Sequence, residues 1–269
     1  MKNLLPLLAL AAGVASSPLG AQTAAQARLE SSPRHHEWVE IRANGRTLHA
    51  FVAFPEVKDR ALAVLVIHEN RGLTDWVRAT ADRLAEAGYI ALAPDLLSGA
   101  APGGGRTPDF PSSDAARTAL GQLRPEAVLA DLQAAAAHLR ALPAADGRVA
   151  VVGFCWGGSQ TWRLALAGES LVLAAPFYGT APAEGDFGRV VPAVHGFYGG
   201  NDARVNATLE RTAAAMRAAG RTFEPVLYDG AGHAFLRAAE EPDASPANQA
   251  AARESWTRLL ALLAAAPKR

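Results

Sequence analysis

The sequence predicts an α/β protein, with a mainly parallel twisted sheet carrying helices on both faces. Three observations point there. Apolar runs of strand length, such as ALAVLVI at 61–67, lack the alternation of a half-exposed strand. Strands covered on both faces read this way. These runs alternate along the chain with stretches of helical periodicity, the order that builds a parallel sheet. The length, 269 residues with half of them apolar, suffices for one large core of this kind.

Taken in order, residues 37–54 alternate around Asn44-Gly45 and read as a β-hairpin. The run 61–67 is a buried strand. Residues 74–88 have helical spacing and stop at Gly88, and 89–94 is a second buried strand. The stretch 98–113 holds Gly, Pro and Ser in quantity, with GGG at 103–105, and marks a loop excursion over about 98–118. Helix resumes at 125–142, opened by Pro125 in its first turn. There follow strand at 148–152, helix at 156–168, strands at 171–178 and 191–199, helix at 203–220, strand at 223–229 and a closing helix at 248–266. No repeat or linker divides residues 37–269, which read as a single domain. Residues 22–36 read as a flexible segment ahead of it.

The first 21 residues differ in kind. Lys2 precedes an apolar stretch from Leu4 to Val14, and small residues follow up to Ala21. This pattern reads as a secretory signal peptide, implying a periplasmic or secreted protein. Its apolar part is too short for a membrane span, so no stable membrane insertion is expected once it is removed. The formal net charge is zero, which gives no reason to expect a nucleic-acid partner. Cys155 is the single cysteine, so an intrachain disulfide and a cysteine-rich metal site are excluded. No ligand spacing among the histidines suggests a metal, and no cofactor is expected.

In a parallel sheet, ligands collect beyond the carboxyl ends of the strands. Four places there carry reactive side chains: His68-Glu69-Asn70-Arg71, Cys155, Asn201-Asp202 and Gly232-His233. Gly153-Phe154-Cys155-Trp156-Gly157 has the G-x-nucleophile-x-G form of the elbow of the α/β-hydrolase fold, with sulfur in place of the serine oxygen. Glycines flank the nucleophile because the turn leaves no room for Cβ atoms. The following N–H, on Trp156, faces the position where a carbonyl oxygen becomes an oxyanion. The helix N-terminus favours a thiolate. Alone the motif is weak, because a cysteine in a tight corner is more often structural. The elbow fold runs nucleophile, acid, histidine, and Cys155, Asp202 and His233 follow in that order. An imidazole can activate the thiol, and a carboxylate fixes the imidazole tautomer.

VLVIHENRGL (64–73), YIALAPDLL (89–97), VVGFCWGG (151–158), PFYG (176–179), GGND (199–202) and GAGHAF (230–235) together resemble the dienelactone hydrolase family. The likeness covers nearly everything from Glu37 onward. It implies an α/β-hydrolase fold and a carboxylic ester hydrolase acting on an ester or lactone through a Cys155-His233-Asp202 triad. It also implies that Glu69 contacts the resting thiol and gates it, and that the N–H groups of Trp156 and Asn70 form the oxyanion hole. Arg237 stands where the family has a substrate-binding arginine. A second arginine falls in the excursion, with Arg117 and Arg106 as candidates. Tyr178, after a strand, is a candidate pocket residue.

The expected partner is a small-molecule ester or lactone, and a monomer is the favoured state. A general carboxylesterase is the alternative within the same chemistry. A non-catalytic hydrolase-fold binder of small molecules would instead shield Cys155. Thiol redox work lacks a second cysteine in the chain to resolve a disulfide.

Overall fold

The computed structural model describes residues 23–43 and 45–267. The expected signal peptide and Asn44 of the hairpin turn lie outside them. Helix α1 (Ala24–Ser31) comes first, then β1 (His36–Ala43), β2 (Arg46–Ala53), β3 (Ala61–Ile67), α2 (Asp75–Glu86) and β4 (Ile90–Pro94). After the excursion come α3 (Ser113–Gly121), α4 (Pro125–Ala141), β5 (Ala145–Phe154), α5 (Trp156–Leu166), β6 (Leu173–Phe177) and β7 (Val194–Gly199). The chain closes with α6 (Ala203–Asn206), α7 (Leu209–Ala218), β8 (Phe223–Tyr228), α8 (Phe235–Ala238) and α9 (Pro246–Ala264).

The eight strands form one sheet in the order β1-β2-β4-β3-β5-β6-β7-β8. The β1–β2 and β2–β4 pairs are antiparallel, and the five remaining pairs are parallel. The missing alternation in ALAVLVI has a direct cause. Leu62, Val64 and Val66 enter the core on one face, with Val77 and Leu84 of α2 and Leu259 of α9. Ala63, Leu65 and Ile67 enter the core on the other face, with Leu132 and Leu139 of α4 and Leu164 of α5. Both pleat faces are dry, so every position of β3 is apolar and buried. The sheet order puts β3, β5, β6, β7 and β8 side by side and pointing one way, so their carboxyl ends share one edge. No described helix is long and apolar enough to cross a membrane.

The structure departs from the sequence expectation in three places. Residues 22–36 are not a plain flexible lead. Thr23 and Gln26 form a capping box that starts α1, and His36 already belongs to β1. The excursion is shorter than 98–118. It holds single 3-10 turns at 102–104 and 107–109, and the Ser112 hydroxyl accepts from the Ala115 N–H to open α3. Its anchor is Asp95, which accepts from the Thr107 N–H at 2.9 Å and from the Thr107 hydroxyl at 2.7 Å. The expected helix 203–220 is broken in two, and Asn206 turns its amide back to the carbonyls of Gly199 and Gly200.

Two glycines fix the close packing of α5 on the sheet. A Cβ on Gly157 would lie 2.4 Å from the carbonyl oxygens of His68 and Ile67, and one on Gly153 would lie 2.2 Å from the Gly157 carbonyl oxygen. Neither contact has a flexible side chain that could yield. Gly157→Ala should therefore destabilise the protein by about 1–3 kcal/mol, the usual cost of overpacking. Gly121→Ala has nothing within 4 Å of the added methyl and should be neutral or slightly stabilising. Urea unfolding of the two variants beside wild type measures both.

Candidate active site

Each strand end at the shared edge delivers side chains to one place. β3 leads to His68 and Glu69, β5 to Cys155, β6 to Tyr178, β7 to Asp202 and β8 to His233. Cys155 sits at φ 54° and ψ −114°, between the end of β5 and the start of α5. Tyr178 (φ 43°) and Ala234 (φ 58°), beside His233, are the other non-glycine residues with positive φ among the described residues. Backbone strain of this kind costs on the order of 1–3 kcal/mol per residue and gathers at sites that need it. Here all three lie around one point.

His233 lies between Cys155 and Asp202. Its Nε2 is 3.1 Å from the Cys155 Sγ, and its Nδ1 is 2.5 Å from the Asp202 Oδ2. Asp202 is buried, and its Oδ1 also accepts from the Val205 N–H, so the carboxylate is locked as the N-cap of α6. The turns carrying the acid and the histidine are stitched together. The Asn201 N–H donates to the Ala231 carbonyl, and the Asn201 amide donates to the Gly230 carbonyl. Asn248, from α9, accepts the Gly232 N–H at 2.9 Å. The role of Asn248 is invisible in sequence, since it acts from a helix far along the chain. The hydrogen bond to Cys155 raises the His233 pKa to about 9, with burial opposing and Asp202 adding to the rise. An imidazolium there donates Nε2–H to sulfur and Nδ1–H to the carboxylate.

Glu69 is buried, but its partner is not the thiol. Oε2 accepts from Arg237 Nε at 2.8 Å, and Oε1 has no hydrogen bond. The contact with the resting thiol that the resemblance implied is thus replaced by an ion pair. A guanidinium outcompetes a weak S–H donor for a carboxylate. Arg237 also lies 3.5 Å from Glu241. The buried Tyr178 places its ring 5.2 Å from that of His233, and its hydroxyl has no hydrogen bond. Burial first, then the nearby charges of Glu69 and Cys155, push its pKa well above the usual value.

His68 is fully buried. Nδ1–H donates to the Glu69 carbonyl at 2.7 Å, Nε2 accepts from the Leu96 N–H, and burial lowers its pKa. Its ring stacks on Trp156, 5.6 Å away. His68 therefore braces the β3 turn, which carries Asn70, against the start of α5, which carries Trp156. The first N–H groups of a helix have no intrahelical acceptor, so that of Trp156 is available to an oxyanion.

A cavity of about 700 Å³ adjoins this centre. Glu69 and Arg237 line it, whereas Cys155 and His233 are not among its lining residues. Trp38, Leu73 and Trp76 give it apolar surface, and Arg71 and Arg106 reach it as well. Arg117 does not. It sits on the exposed face of α3, paired with Asp114 at 3.1 Å, because the helix that replaces the expected loop points it to solvent. Of the two candidates in the excursion, Arg106 is the one at the cavity, with its guanidinium 4.4 Å over the Trp38 ring.

Comparison with known proteins agrees with this architecture. Residues 48–266 match the sequence model of the dienelactone hydrolase family. A protein of Methylorubrum extorquens provisionally named carboxymethylenebutenolidase is 31% identical over 240 residues, covering 82% of this chain and 78% of its own. The carboxymethylenebutenolidase of Pseudomonas putida is 30% identical over 198 residues, covering 72% and 83%. Among solved structures, a dienelactone hydrolase-like promiscuous phosphotriesterase from metagenomic libraries superposes with TM-score 0.74 at 25% identity, over 87% of this chain and 98% of that one.

The raised His233 pKa has a consequence for stability. An unfolded histidine titrates near 6.5, whereas this one titrates at about 9. Between those values the folded chain holds a proton that the unfolded chain lacks. The stabilisation is full below pH of about 6.5 and is lost as pH rises through about 9. Removing the thiol removes the largest cause of the shift. Thermal melts from about pH 6 to 10 should show a steeper alkaline loss of Tm in wild type than in Cys155→Ser. Parallel curves would contradict the coupling.

Proposed function

Because the chain belongs to the dienelactone hydrolase family, a family of hydrolases acting on lactones and esters, we propose that it cleaves its substrate through a thiol acyl-enzyme on Cys155. The observation that carries this reading is the position of His233, in hydrogen-bond reach of both the Cys155 sulfur and the Asp202 carboxylate. The thiolate sulfur adds to the carbonyl carbon, and the oxygen takes the negative charge. The N–H groups of Trp156 and Asn70 hold that oxyanion. On collapse the C–O bond breaks, and the His233 imidazolium gives its proton to the leaving oxygen. The resulting thioester is attacked by water, whose proton His233 accepts. The products are a carboxylate, an alcohol and the free thiol. In a lactone the two products remain one molecule. Asp202 holds the imidazole in the tautomer both steps need.

Glu69 acts in this scheme through Arg237. Withdrawal of the guanidinium toward an anionic substrate would free the Glu69 carboxylate beside the thiol. The pairing of Arg237 with Glu69 and Glu241 also supports the alternative of a general carboxylesterase, since the arginine is already engaged.

Cys155→Ala should lower kcat/KM for activated esters by at least about a thousandfold, with the fold retained by circular dichroism. In wild type, iodoacetamide should label Cys155 and abolish turnover in parallel. Full esterase activity in Cys155→Ala would remove the mechanism. In a substrate panel, turnover of a dienelactone supports the family's namesake chemistry, and turnover of simple esters alone supports the carboxylesterase.

A further inference from the structure

Helix α1 lies ahead of the family match, which begins at residue 48, yet it reaches the active-site cavity. Thr23, Ala24 and Ala25 line the same cavity as Glu69 and Arg237. A second cavity of about 340 Å³ lies between α1 and α2, and Ala24, Ala25, Trp76 and Glu240 line both. The first turn of α1 is thus a thin wall of small side chains with space on either side. Apolar burial does little to hold it. No side chain of α1 is fully buried, and only Ala25 and Leu29 touch the core.

A polar clamp holds the segment instead. Asp82, on α2, has a fully buried side chain. It accepts from the Ser32 hydroxyl at 2.6 Å and from Arg34 Nε and Nη2 at 2.7 and 2.9 Å, and it meets His36 Nε2 at 2.9 Å. Arg28 pairs with Asp82 and with Glu86, each at 2.7 Å. Burial alone would push the Asp82 pKa up, but Arg34, Ser32 and His36 overcome this and hold it well below the usual carboxylate range. Four residues of the N-terminal segment converge on this one carboxylate.

We propose that α1, fixed by the Asp82 clamp, is a specificity element that completes a subsite for an apolar, ring-sized group of the substrate remote from the scissile bond. The group packs among Ala24, Ala25, Trp38 and Trp76. Its chemistry follows from the apolar part of the lining, two indole rings, small aliphatic side chains and Leu73, while the arginines and carboxylates that share the cavity keep the rest of it polar. This inference rests on the esterase reading above.

The test compares kcat/KM ratios for two substrate pairs. The first is p-nitrophenyl hydrocinnamate against p-nitrophenyl acetate, and the second is phenethyl acetate against ethyl acetate. Asp82→Asn removes the charge that gathers the clamp without touching the cavity. In that variant the bulky-to-small ratio should fall about tenfold in at least one pair, the scale of a lost apolar pocket contact. The small-ester activity should stay near wild type, and trypsin should cut after Arg28 faster. Ala25→Trp leaves the clamp intact and fills the subsite, and it should lower the same ratio, which keeps the test decisive if Asp82→Asn folds poorly. Ratios that stay unchanged or rise in both pairs for the folded variants overturn the proposal. So does a lowered ratio in Asp82→Asn with α1 as protease-resistant as in wild type. If Cys155→Ala still cleaves the small esters, the underlying reading fails instead.

Discussion

Between β5 and α5 the chain must reverse within one residue while keeping Cys155 in a conformation that L-residues seldom adopt. The other parts of the site depend on that turn. Hydrogen bonding to the Phe177 carbonyl fixes the Cys155 N–H at 3.0 Å, and the close approach of Gly157 to the end of β3 fixes the direction of α5. Strain at a single residue persists only where its surroundings over-determine it. Here they do, because β3, β5 and β6 are buried on both faces and cannot yield. The turn presents the thiol at the sheet edge and places the Trp156 N–H beside it, where β8 and its loop bring His233.

The buried double-faced strands explain why the fold was legible in the sequence. A strand with two dry faces has no polar positions, so runs such as 61–67 and 89–94 declare themselves. The elbow was legible because its glycines answer to backbone contacts that no other residue permits. The order of Cys155, Asp202 and His233 could be read because the topology orders strand ends as it orders the chain. Less legible were elements held by polar contacts. α1 has no apolar stripe to reveal it, although Thr23 and Gln26 already spelled its capping box. α3 and α8 are short, and the break after Asn206 comes from a side chain bonding back to the previous turn. The placement of Arg117 on a loop failed for the same reason, since a capped helix at Ser112 carries it away.

Charge pairing decides more of the site than sequence spacing could show. Glu69 and Arg237 are 168 residues apart in sequence, and their pairing replaces the contact between Glu69 and the thiol that family likeness implied. Burying such a pair is not a source of stability by itself, whereas removing one partner leaves an uncompensated charge. The pair is therefore held in a state that another anion can disturb. The unpartnered Glu69 Oε1 and Tyr178 hydroxyl lie in the same region. Buried polar atoms without partners are rare in folded proteins, and a catalytic role is one of the explanations for them.

In the proposed reaction the sulfur of Cys155, and no other atom, forms the covalent intermediate. The most direct test is intact-mass and peptide mass spectrometry of an acid-quenched reaction of His233→Ala with p-nitrophenyl acetate at about pH 9, where a thiol ionises without an imidazole but the base for thioester hydrolysis is missing. One acetyl group per chain is expected, mapped to the peptide containing Cys155 and released by hydroxylamine. An unmodified chain that has released p-nitrophenol, or an acetyl group on any other residue, would contradict it.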